Sequence, residues 1–221
     1  MAGASIGEIH VEQVRIPLGR IELAGDLSLP ENARGLVLFA HGSGSSRHSR
    51  RNKFVAYELN KGRLGTLLFD LLTQREEYEE QFTRHLRFDI GLLADRLAAA
   101  TDWARQDSRL SELSQGYFGA STGGGAALVA AVARESDIKA VVSRGGRPDL
   151  AGDALPGVKA PTLLIVGGDD DVVIELNQQA YQQLHCEKRL EIVSGATHLF
   201  EEPGTLEQVA HLARQWFEQH L

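Results

Sequence analysis

The sequence predicts an α/β fold, a mostly parallel twisted sheet of about eight strands with helices on both faces, in a single domain over residues 1–221. Short apolar runs rich in β-branched residues alternate along the chain with longer segments whose apolar residues repeat every three or four positions. The apolar runs do not alternate with polar residues, as a strand covered on both faces requires. The order strand, helix, strand predicts parallel pairing with right-handed crossovers.

The first two strands are expected to be antiparallel, because apolar residues alternate loosely with polar ones on both sides of a turn at 17–20. Those apolar residues are Ile9, Val11, Val14 and Ile16, followed by Ile21 and Leu23. Buried strands are then predicted at 35–40, 66–69, 116–118, 138–142, 162–166 and 190–193. Helices are predicted at about 53–59, 84–105, 173–184 and 205–220, with a further helix of small residues from 124 onward.

Composition limits the classes of function. The 221 residues carry a net charge of −7, and this acidic balance argues against nucleic acid as the main partner. The longest uncharged run, residues 113–133, contains five glycines and turn-forming residues at its centre, so we expect no membrane helix. The first residues show no secretory signal, and the single cysteine, Cys186, suits a reducing compartment. We therefore expect a cytoplasmic protein.

The clearest chemical motif is the pentapeptide Gly119-Ala-Ser-Thr-Gly123, which follows a predicted strand and opens a helix rich in small residues. In that context the serine of a G-x-S-x-G motif lies on a strained turn that presents its hydroxyl, and the glycines allow close backbone approach. Ser121 is therefore the predicted nucleophile. A serine hydroxyl needs a base to remove its proton and a third group to orient that base.

His198 is the predicted base. Among eight histidines it alone combines a strand end, a glycine-containing turn and a position after the serine. The acid is expected in the segment 167–173, directly after the preceding strand. We favour Asp170, because it completes a G-x-x-D-x-x-V spacing from Gly167 to Val173. The alternatives are Asp169, Asp171 and, in the loop after residues 138–142, Asp149.

A glycine-rich loop, His41-Gly-Ser-Gly-Ser-Ser46, follows the strand at 35–40. Acyl transfer requires preorganised donors for a developing oxyanion, and such a loop can turn its backbone N–H groups toward the nucleophile. We expect the amides of Ser43 and Thr122 to form this oxyanion hole. Phosphate binding is the alternative use of such a loop, but no Walker lysine follows it. HExxH and CxxC motifs are absent from the sequence, so we expect no metal, and the chemistry needs no cofactor.

Four segments together resemble α/β-hydrolases of the dienelactone-hydrolase-like group, and the resemblance covers nearly the whole chain. They are HGSGSSRHSRRN at 41–52, GYFGASTG at 116–123, LLIVGGDDDVV at 163–173 and SGATHLF at 194–200. The chain order Ser, Asp, His is also that of the α/β-hydrolases. Dienelactone hydrolases proper carry a cysteine at the elbow, so with Ser121 the resemblance implies an ester hydrolase but not dienelactone as its substrate. Related hydrolase domains occur fused to phosphoribosyltransferase domains, and we expect none in this chain.

The substrate is expected to be small. Many α/β-hydrolases carry a cap between the sixth and seventh strands, and here that interval, 143–160, is short, so an open site for small or short-chain esters is expected. Arginines are frequent near the predicted site: Arg47, Arg50, Arg51, Arg144 and Arg147. Arg144 and Arg47 are the candidates for binding an anionic substrate. The alternative is a solvated basic face that pairs with the acidic residues 76–80.

The sequence thus predicts a serine hydrolase acting on a small carboxylic ester. The same residues would serve a thioesterase or a lactone hydrolase, because the triad does not record the leaving group. A binding module that keeps the fold without turnover is a third interpretation. A monomer and a homodimer are both compatible with the sequence.

Overall fold

A computed structural model describes residues 10–221, in which an eight-stranded sheet carries helices on both faces. The strands are β1 (Val11–Leu18), β2 (Ile21–Ser28), β3 (Gly35–Ala40), β4 (Leu64–Phe69), β5 (Ser114–Ala120), β6 (Ile138–Arg144), β7 (Thr162–Gly167) and β8 (Lys188–Val193). The helices are α1 (Arg50–Lys61), α2 (Gln74–Thr83), α3 (Ile90–Gln106), α4 (Thr122–Ala133), α5 (Asp171–Gln183) and α6 (Thr205–His220). The predicted fold class is confirmed; Ile9, predicted in the first strand, lies outside the described residues.

The strand order places a switch point at the centre of the sheet. The order is β1-β2-β4-β3-β5-β6-β7-β8, with antiparallel pairing from β1 to β4 at one edge and parallel pairing across the rest. After β3 the chain proceeds to β4 on one side, and β5 then lies on the other side. Ligand sites of open parallel sheets lie beyond the carboxyl ends of the strands at such a point. Here those ends are Ala40 of β3 and Gly119 of β5, which are register partners.

Alternate residues of the central strands supply two apolar layers. In β3, Leu36 and Leu38 pack in the layer that includes α3, α4 and α5, whereas Val37 and Phe39 pack in the layer with α1 and α6. Both faces are therefore removed from water, which explains why this strand is apolar throughout. No helix within residues 10–221 combines the length and the apolar character needed to cross a bilayer.

The helix predicted from about residue 84 begins instead at Ile90. A 3₁₀ turn at Leu86–Phe88 precedes it, and Asp89 then caps α3 by accepting the Leu92 N–H at 3.0 Å. A carboxylate in this position accepts one of the free N–H groups of the first turn. Asp89 therefore separates α3 from the preceding 3₁₀ turn.

Helix α2 is not predicted by apolar periodicity, because it has no apolar face and its only buried residue is Glu80. Its start is instead determined by a capping box. The Thr73 hydroxyl accepts the Glu76 N–H at 3.2 Å, and the Glu76 carboxylate accepts the Thr73 N–H at 2.7 Å. Capping and not burial of an apolar face therefore defines this helix.

Between β6 and β7, where a cap would be inserted, the chain forms only a 3₁₀ segment at Pro148–Gly157, interrupted at Gly152. This short segment packs against α4 and α5. The fold carries no cap domain at this position of residues 10–221, in agreement with the sequence prediction.

The fully buried carboxylate of Glu80 holds the turn between α2 and α3. It accepts the backbone N–H groups of His85, Leu86 and Arg87 at 2.9, 2.8 and 3.2 Å, and the Arg87 guanidinium donates to it at 2.8 Å. Burial raises the pKa of this carboxyl, but Arg87 and the backbone donors outweigh that effect and lower the pKa to about 2.

We expect Glu80→Gln to lower the melting temperature at neutral pH by a few degrees, because an amide cannot accept these charge-assisted hydrogen bonds. A carboxyl whose pKa is lowered by folding stabilises the protein above its unfolded pKa of about 4.3, and this contribution is lost as pH falls toward 2. Thermal melts of both proteins at several pH values test this. The difference in melting temperature should be constant near neutrality and shrink below about pH 4.5; a difference that persists unchanged in acid would contradict the assignment.

Candidate active site

Ser121 lies on the turn between β5 and α4, at the carboxyl edge of the sheet. Its backbone has φ 51° and ψ −123°, a positive φ that side-chain-bearing residues adopt only under constraint. Hydrogen bonds supply that constraint. The Ser121 carbonyl accepts the Gly124 N–H at 2.9 Å and the Arg147 N–H at 3.0 Å, and the Ser121 N–H donates to the Arg144 carbonyl at 3.3 Å. The predicted strained serine turn is therefore present.

The two outer glycines of the pentapeptide allow this turn to form. A Cβ on Gly119 would lie 2.4 Å from the carbonyl oxygen of Gly123, and a Cβ on Gly123 would lie 2.2 Å from the carbonyl oxygen of Ala40. Neither contact can be relieved by rotating a side chain, since both involve backbone atoms. Glycine is therefore required at position 119 by the close approach of β5 to the start of α4, and at position 123 by the close approach of the turn to β3.

The structure brings His198 and Asp170 into contact. The distance from His198 Nδ1 to Asp170 Oδ2 is 2.7 Å, a short hydrogen bond between residues that follow the neighbouring strands β8 and β7. The alternative acids lie elsewhere: Asp169 and Asp171 are exposed, and the Asp149 carboxylate accepts from the Arg147 guanidinium at 2.7 and 2.8 Å.

Ser121 and His198 line one cavity of about 240 Å³. Its walls are Gly42, Ser43, Ser45, Ser49, Arg51, Asn52, Ala120, Ser121, Arg144, Gly145, His198 and Leu199. Within residues 10–221, the Ser121 hydroxyl and the His198 ring share this cavity without a hydrogen bond between them. Catalytic hydrogen bonds often tighten only when substrate is bound, so the arrangement is compatible with a nucleophile and its base.

The loop after β3 lies against the turn that carries Ser121. The Ser43 N–H donates to the Thr122 hydroxyl oxygen at 2.9 Å, so one of the two predicted oxyanion donors has a side-chain acceptor in this structure. Thr122 itself is the first residue of α4 and is almost fully buried. An oxyanion bound by both amides would replace the Thr122 hydroxyl as the acceptor for Ser43.

His41, at the start of this loop, is buried and fully engaged. Its Nε2 accepts the Leu71 N–H at 3.0 Å, so the ring proton is on Nδ1, which donates to the Gly42 carbonyl at 3.0 Å. Burial lowers the pKa of this imidazole below its ordinary value. A neutral His41 therefore fixes the loop after β3 to the loop after β4 and is not available as a base.

Arg144 brings a buried positive charge to the cavity. Its side chain is 6% exposed, its Nη2 donates to Asn52 Oδ1 at 3.1 Å, and its guanidinium carbon lies 5.8 Å from the centre of the Phe200 ring. Burial, with a smaller effect of the neighbouring Arg51, lowers the pKa of Arg144 to about 10, so it stays protonated near neutral pH. Among the described residues no carboxylate forms an ion pair with it.

Arg51 lines the same cavity, and its exposed end pairs with Glu201 at 3.0 Å. The Nε atoms of Arg51 and Arg144 are both buried without a partner in the part of the chain that the structure describes. Arg51 and Asn52, from the first turn of α1, thus lie beside Arg144 in the wall of the cavity, and Arg51 adds a second positive charge to it. Their position in a segment rich in arginine was the available signal.

The structure does not bring Arg47 into this cavity. Its backbone N–H and guanidinium both donate to Asp70, and its Nε lies 3.4 Å from Asp26. The alternative of a basic face paired with residues 76–80 is wrong as well, because the three carboxylates of that segment that form ion pairs with arginine are bound by other arginines. Those pairs are Glu76 with Arg96, Glu80 with Arg87, and, within α2, Glu79 with Arg75.

A metal centre receives no support from the side chains. Across residues 10–221, no group of three or more His, Cys, Asp or Glu side chains is arranged to hold a metal ion. The chemistry available at the cavity is that of the serine, the imidazole and the two guanidinium groups.

The chain matches a known protein family over most of its length. A family model described as the dienelactone hydrolase family matches residues 70–220. The chain belongs to this family. A dienelactone hydrolase from Anabaena variabilis is 58% identical and superposes with a TM-score of 0.95, over 97% of this chain and 99% of that chain. The resemblance inferred from the four sequence segments is confirmed.

Two more distant solved structures are similar in fold. An esterase domain of a Rhodothermus marinus protein is 19% identical with a TM-score of 0.76, over 96% of this chain and 99% of that one. Est1E from Butyrivibrio proteoclasticus is 17% identical with a TM-score of 0.77, over 94% of this chain and 98% of that one.

Two longer proteins are similar to this chain in sequence. Mycobacterium tuberculosis strains CDC 1551 and H37Rv each contain a protein that is 58% identical over 210 residues, or 95% of this chain, and both are named provisionally as phosphoribosyl transferases. This chain spans 46% of their length, so about half of each relative has no counterpart in it.

Gly123→Ala is expected to destabilise the protein by more than about 2 kcal/mol, because its Cβ would overlap the Ala40 carbonyl oxygen at 2.2 Å and the backbone would have to move. Gly157→Ala is the matched control: its Cβ would lie 3.5 Å from Val132 Cγ1, an ordinary contact. Urea unfolding of both variants measures the difference. Equal stabilities would show that the turn does not depend on this close approach.

Proposed function

We propose that this chain is a serine hydrolase that cleaves small or short-chain carboxylic esters through Ser121, His198 and Asp170. The observation that carries the proposal is the 2.7 Å contact between His198 and Asp170, beside the cavity that His198 shares with the strained Ser121 turn. A carboxylate bonded to Nδ1 keeps the proton on that nitrogen and leaves Nε2 free to act as a base. Membership of the dienelactone hydrolase family supports the hydrolase class.

In the proposed reaction, His198 removes the Ser121 proton as the serine oxygen attacks the ester carbonyl. The amides of Ser43 and Thr122 hold the oxyanion of the tetrahedral intermediate. The carbon–oxygen bond to the alcohol then breaks, and His198 returns the proton to the departing alcohol. Water repeats the attack on the acyl-enzyme with His198 again as base, which releases the acid and restores Ser121.

The size of the substrate follows from the cavity. The cavity has a volume of about 240 Å³ and is not covered by a cap, so it accommodates a short acyl group. Ala120 and Leu199 are the only aliphatic side chains among the described residues that line it. A long acyl chain would remain in water and gain little from binding. We therefore expect short-chain esters to be preferred.

The charge of the substrate follows from Arg144 and Arg51. Two guanidinium groups and the Asn52 amide line the cavity, and Arg51 pairs with Glu201. Arg144 is buried without a described carboxylate partner, which is costly unless a ligand supplies the charge. A carboxylate on the acyl group would provide it, with charge-assisted hydrogen bonds to both arginines. We propose that esters with an anionic acyl group are the better substrates.

A lactone hydrolase is the second candidate, supported by the 58% identity to the Anabaena dienelactone hydrolase. A lactone is an internal ester, so the same residues would open it, and the alcohol would remain attached to the acyl group. For the Mycobacterium tuberculosis relatives, we propose that phosphoribosyl transfer belongs to the half of each protein that this chain does not cover.

Ser121→Ala is expected to reduce hydrolysis of a p-nitrophenyl ester series, acetyl to decanoyl, by roughly 10⁴-fold or to background, because the acyl-enzyme cannot form. Wild-type activity should peak at the shortest chains. Asp170→Asn should cost a similar factor, whereas Asp169→Asn and Asp171→Asn, at exposed neighbouring positions, should each retain activity within about threefold. Wild-type and Ser121→Ala rates that are equal would overturn the esterase and favour a binding module.

Arg51→Gln and Arg144→Met are expected to lower kcat/KM for monoethyl succinate, relative to the uncharged ethyl pentanoate, by roughly tenfold to a hundredfold. Arg50→Gln is the matched control, since Arg50 is exposed, lies next to Arg51 and is absent from the walls of the cavity. Hydrolysis is followed by pH-stat titration. Arg51→Gln provides the test if the buried Arg144 cannot be replaced without loss of folding. Equal losses on the charged and uncharged esters would exclude anion recognition.

A further inference from the structure

A second cavity, about four times larger, adjoins the loop after β3. We call it the polar groove; its volume is about 990 Å³. Its walls come from β1, β2, the loop after β3, the loop after β4 and the first turn of α2. Most of the residues that line it are polar or charged. None of these side chains takes part in the proposed triad, so the groove has no assigned role.

The polar groove and the Ser121 cavity share walls. Ser45 and Ser49 line both of them. A shallow depression also joins them across the tip of the loop, since it shares Ser43 with the Ser121 cavity and Gly44 with the polar groove. Ser43 and Gly44 are exposed, and Gly44 has a positive φ of 70° that favours glycine. A ligand that passes over this tip would therefore cross Ser43 and Gly44, with the Arg87 side chain beside Gly44.

The charges of the polar groove cancel. Among the described residues that line it, three are arginines (Arg15, Arg47, Arg75) and three are carboxylates (Glu22, Asp70, Glu77). Two of the arginines are paired within the groove, Arg47 with Asp70 and Arg15 with Glu22 at 3.7 Å. An ionic ligand would gain from one sign of charge and lose to the other. An uncharged ligand is therefore favoured.

Few of the side chains that line the polar groove are hydrophobic residues. Ala24 and Leu72 are its aliphatic side chains, and among the described residues no phenylalanine, tyrosine or tryptophan lines it. The side chains of Gln74 and Glu77 make no hydrogen bond to another described residue, so a donor and an acceptor are free at the start of α2. An apolar alcohol would desolvate these groups without replacing their hydrogen bonds, whereas hydroxyl groups would satisfy them.

From these observations we infer that the polar groove binds the alcohol part of the ester and that this alcohol is an uncharged polyol or sugar. The inference rests on the proposed function of Ser121. With the acyl group in the smaller cavity beside Arg144, the ester oxygen lies near Ser121 and the alcohol extends over Gly44 into the polar groove. When the carbon–oxygen bond breaks, the alcohol leaves with the proton that His198 took from Ser121, and water later supplies the hydroxyl group of the released acid and the proton that returns to Ser121.

Acetate esters that differ only in the alcohol test the inference. Ethyl acetate, 2-methoxyethyl acetate, glycerol monoacetate and glucose acetylated at its primary hydroxyl all form the same acetyl-enzyme, so deacylation is identical and kcat/KM reports the alcohol. 2-Methoxyethyl acetate controls for the electron-withdrawing effect of a neighbouring oxygen. We expect kcat/KM for the two hydroxyl-rich acetates to exceed that for 2-methoxyethyl acetate by about tenfold, the effect of one or two hydrogen bonds.

A pair of double variants locates the effect. Gln74→Ala/Glu77→Ala should bring the ratio of kcat/KM for acetylglucose to that for 2-methoxyethyl acetate down toward one. The matched control is Glu175→Ala/Gln178→Ala, which removes the same two residue types from exposed positions on α5, away from both cavities, and should leave the ratio as in the wild type.

The outcomes separate the two proposals. Ser121-dependent hydrolysis of all the acetates at similar kcat/KM, or a preference that the α2 variant does not reduce, would overturn the polyol inference and leave the esterase intact. Rates that Ser121→Ala does not lower would overturn both. A preference for the hydroxyl-rich acetates that disappears in the α2 variant, and only there, would establish the polar groove as the alcohol site.

Discussion

The close approach of the turn after β5 to the end of β3 is the constraint on which the rest of the site depends. A Cβ on Gly123 would lie 2.2 Å from the Ala40 carbonyl oxygen, so the two backbones meet with no side chain between them. That contact holds Ser121 in its positive-φ conformation at the switch point of the sheet. Strained backbone persists only where its surroundings over-determine it, and here hydrogen bonds from Gly124 and Arg147 tie the turn to α4 and to the loop after β6.

The parts of the site that follow directly from strand ends could be predicted from the sequence. Parallel strands end at the same edge, so a serine, an aspartate and a histidine that each follow such a strand are expected to converge, and Asp170 does contact His198 at 2.7 Å. The roles of these residues stay predictions. The residue type alone does not predict the environment of the two loop histidines. His41 is buried and hydrogen-bonded to two backbone groups, whereas His198 has a carboxylate partner and lines an open cavity.

What could not be predicted depends on contacts between distant parts of the chain. Helix α2 lacks an apolar stripe, and the buried Glu80 that fixes its end is hydrogen-bonded by the turn that follows it, which no hydrophobic pattern records. Arg47, in the loop after β3, and Arg144, at the end of β6, cannot be distinguished by sequence alone. They differ because Asp26 and Asp70 neutralise Arg47, while no described carboxylate pairs with Arg144. The pairing partner, and not the arginine, decides which of them can serve a ligand.

The net charge of the chain restricts how an anionic ester could be recognised. At −7 the protein repels an anion at long range, so two arginines at the cavity cannot act chiefly by steering it from solution. Arg144 is only 6% exposed to solvent. Its charge therefore acts mainly on a ligand that has already been desolvated in the cavity. Selectivity would therefore arise after entry, in contacts within the cavity. In the polar groove, by contrast, arginines and carboxylates are equal in number and two pairs of them are in contact, so we propose that it binds hydroxyl groups and does not select charge.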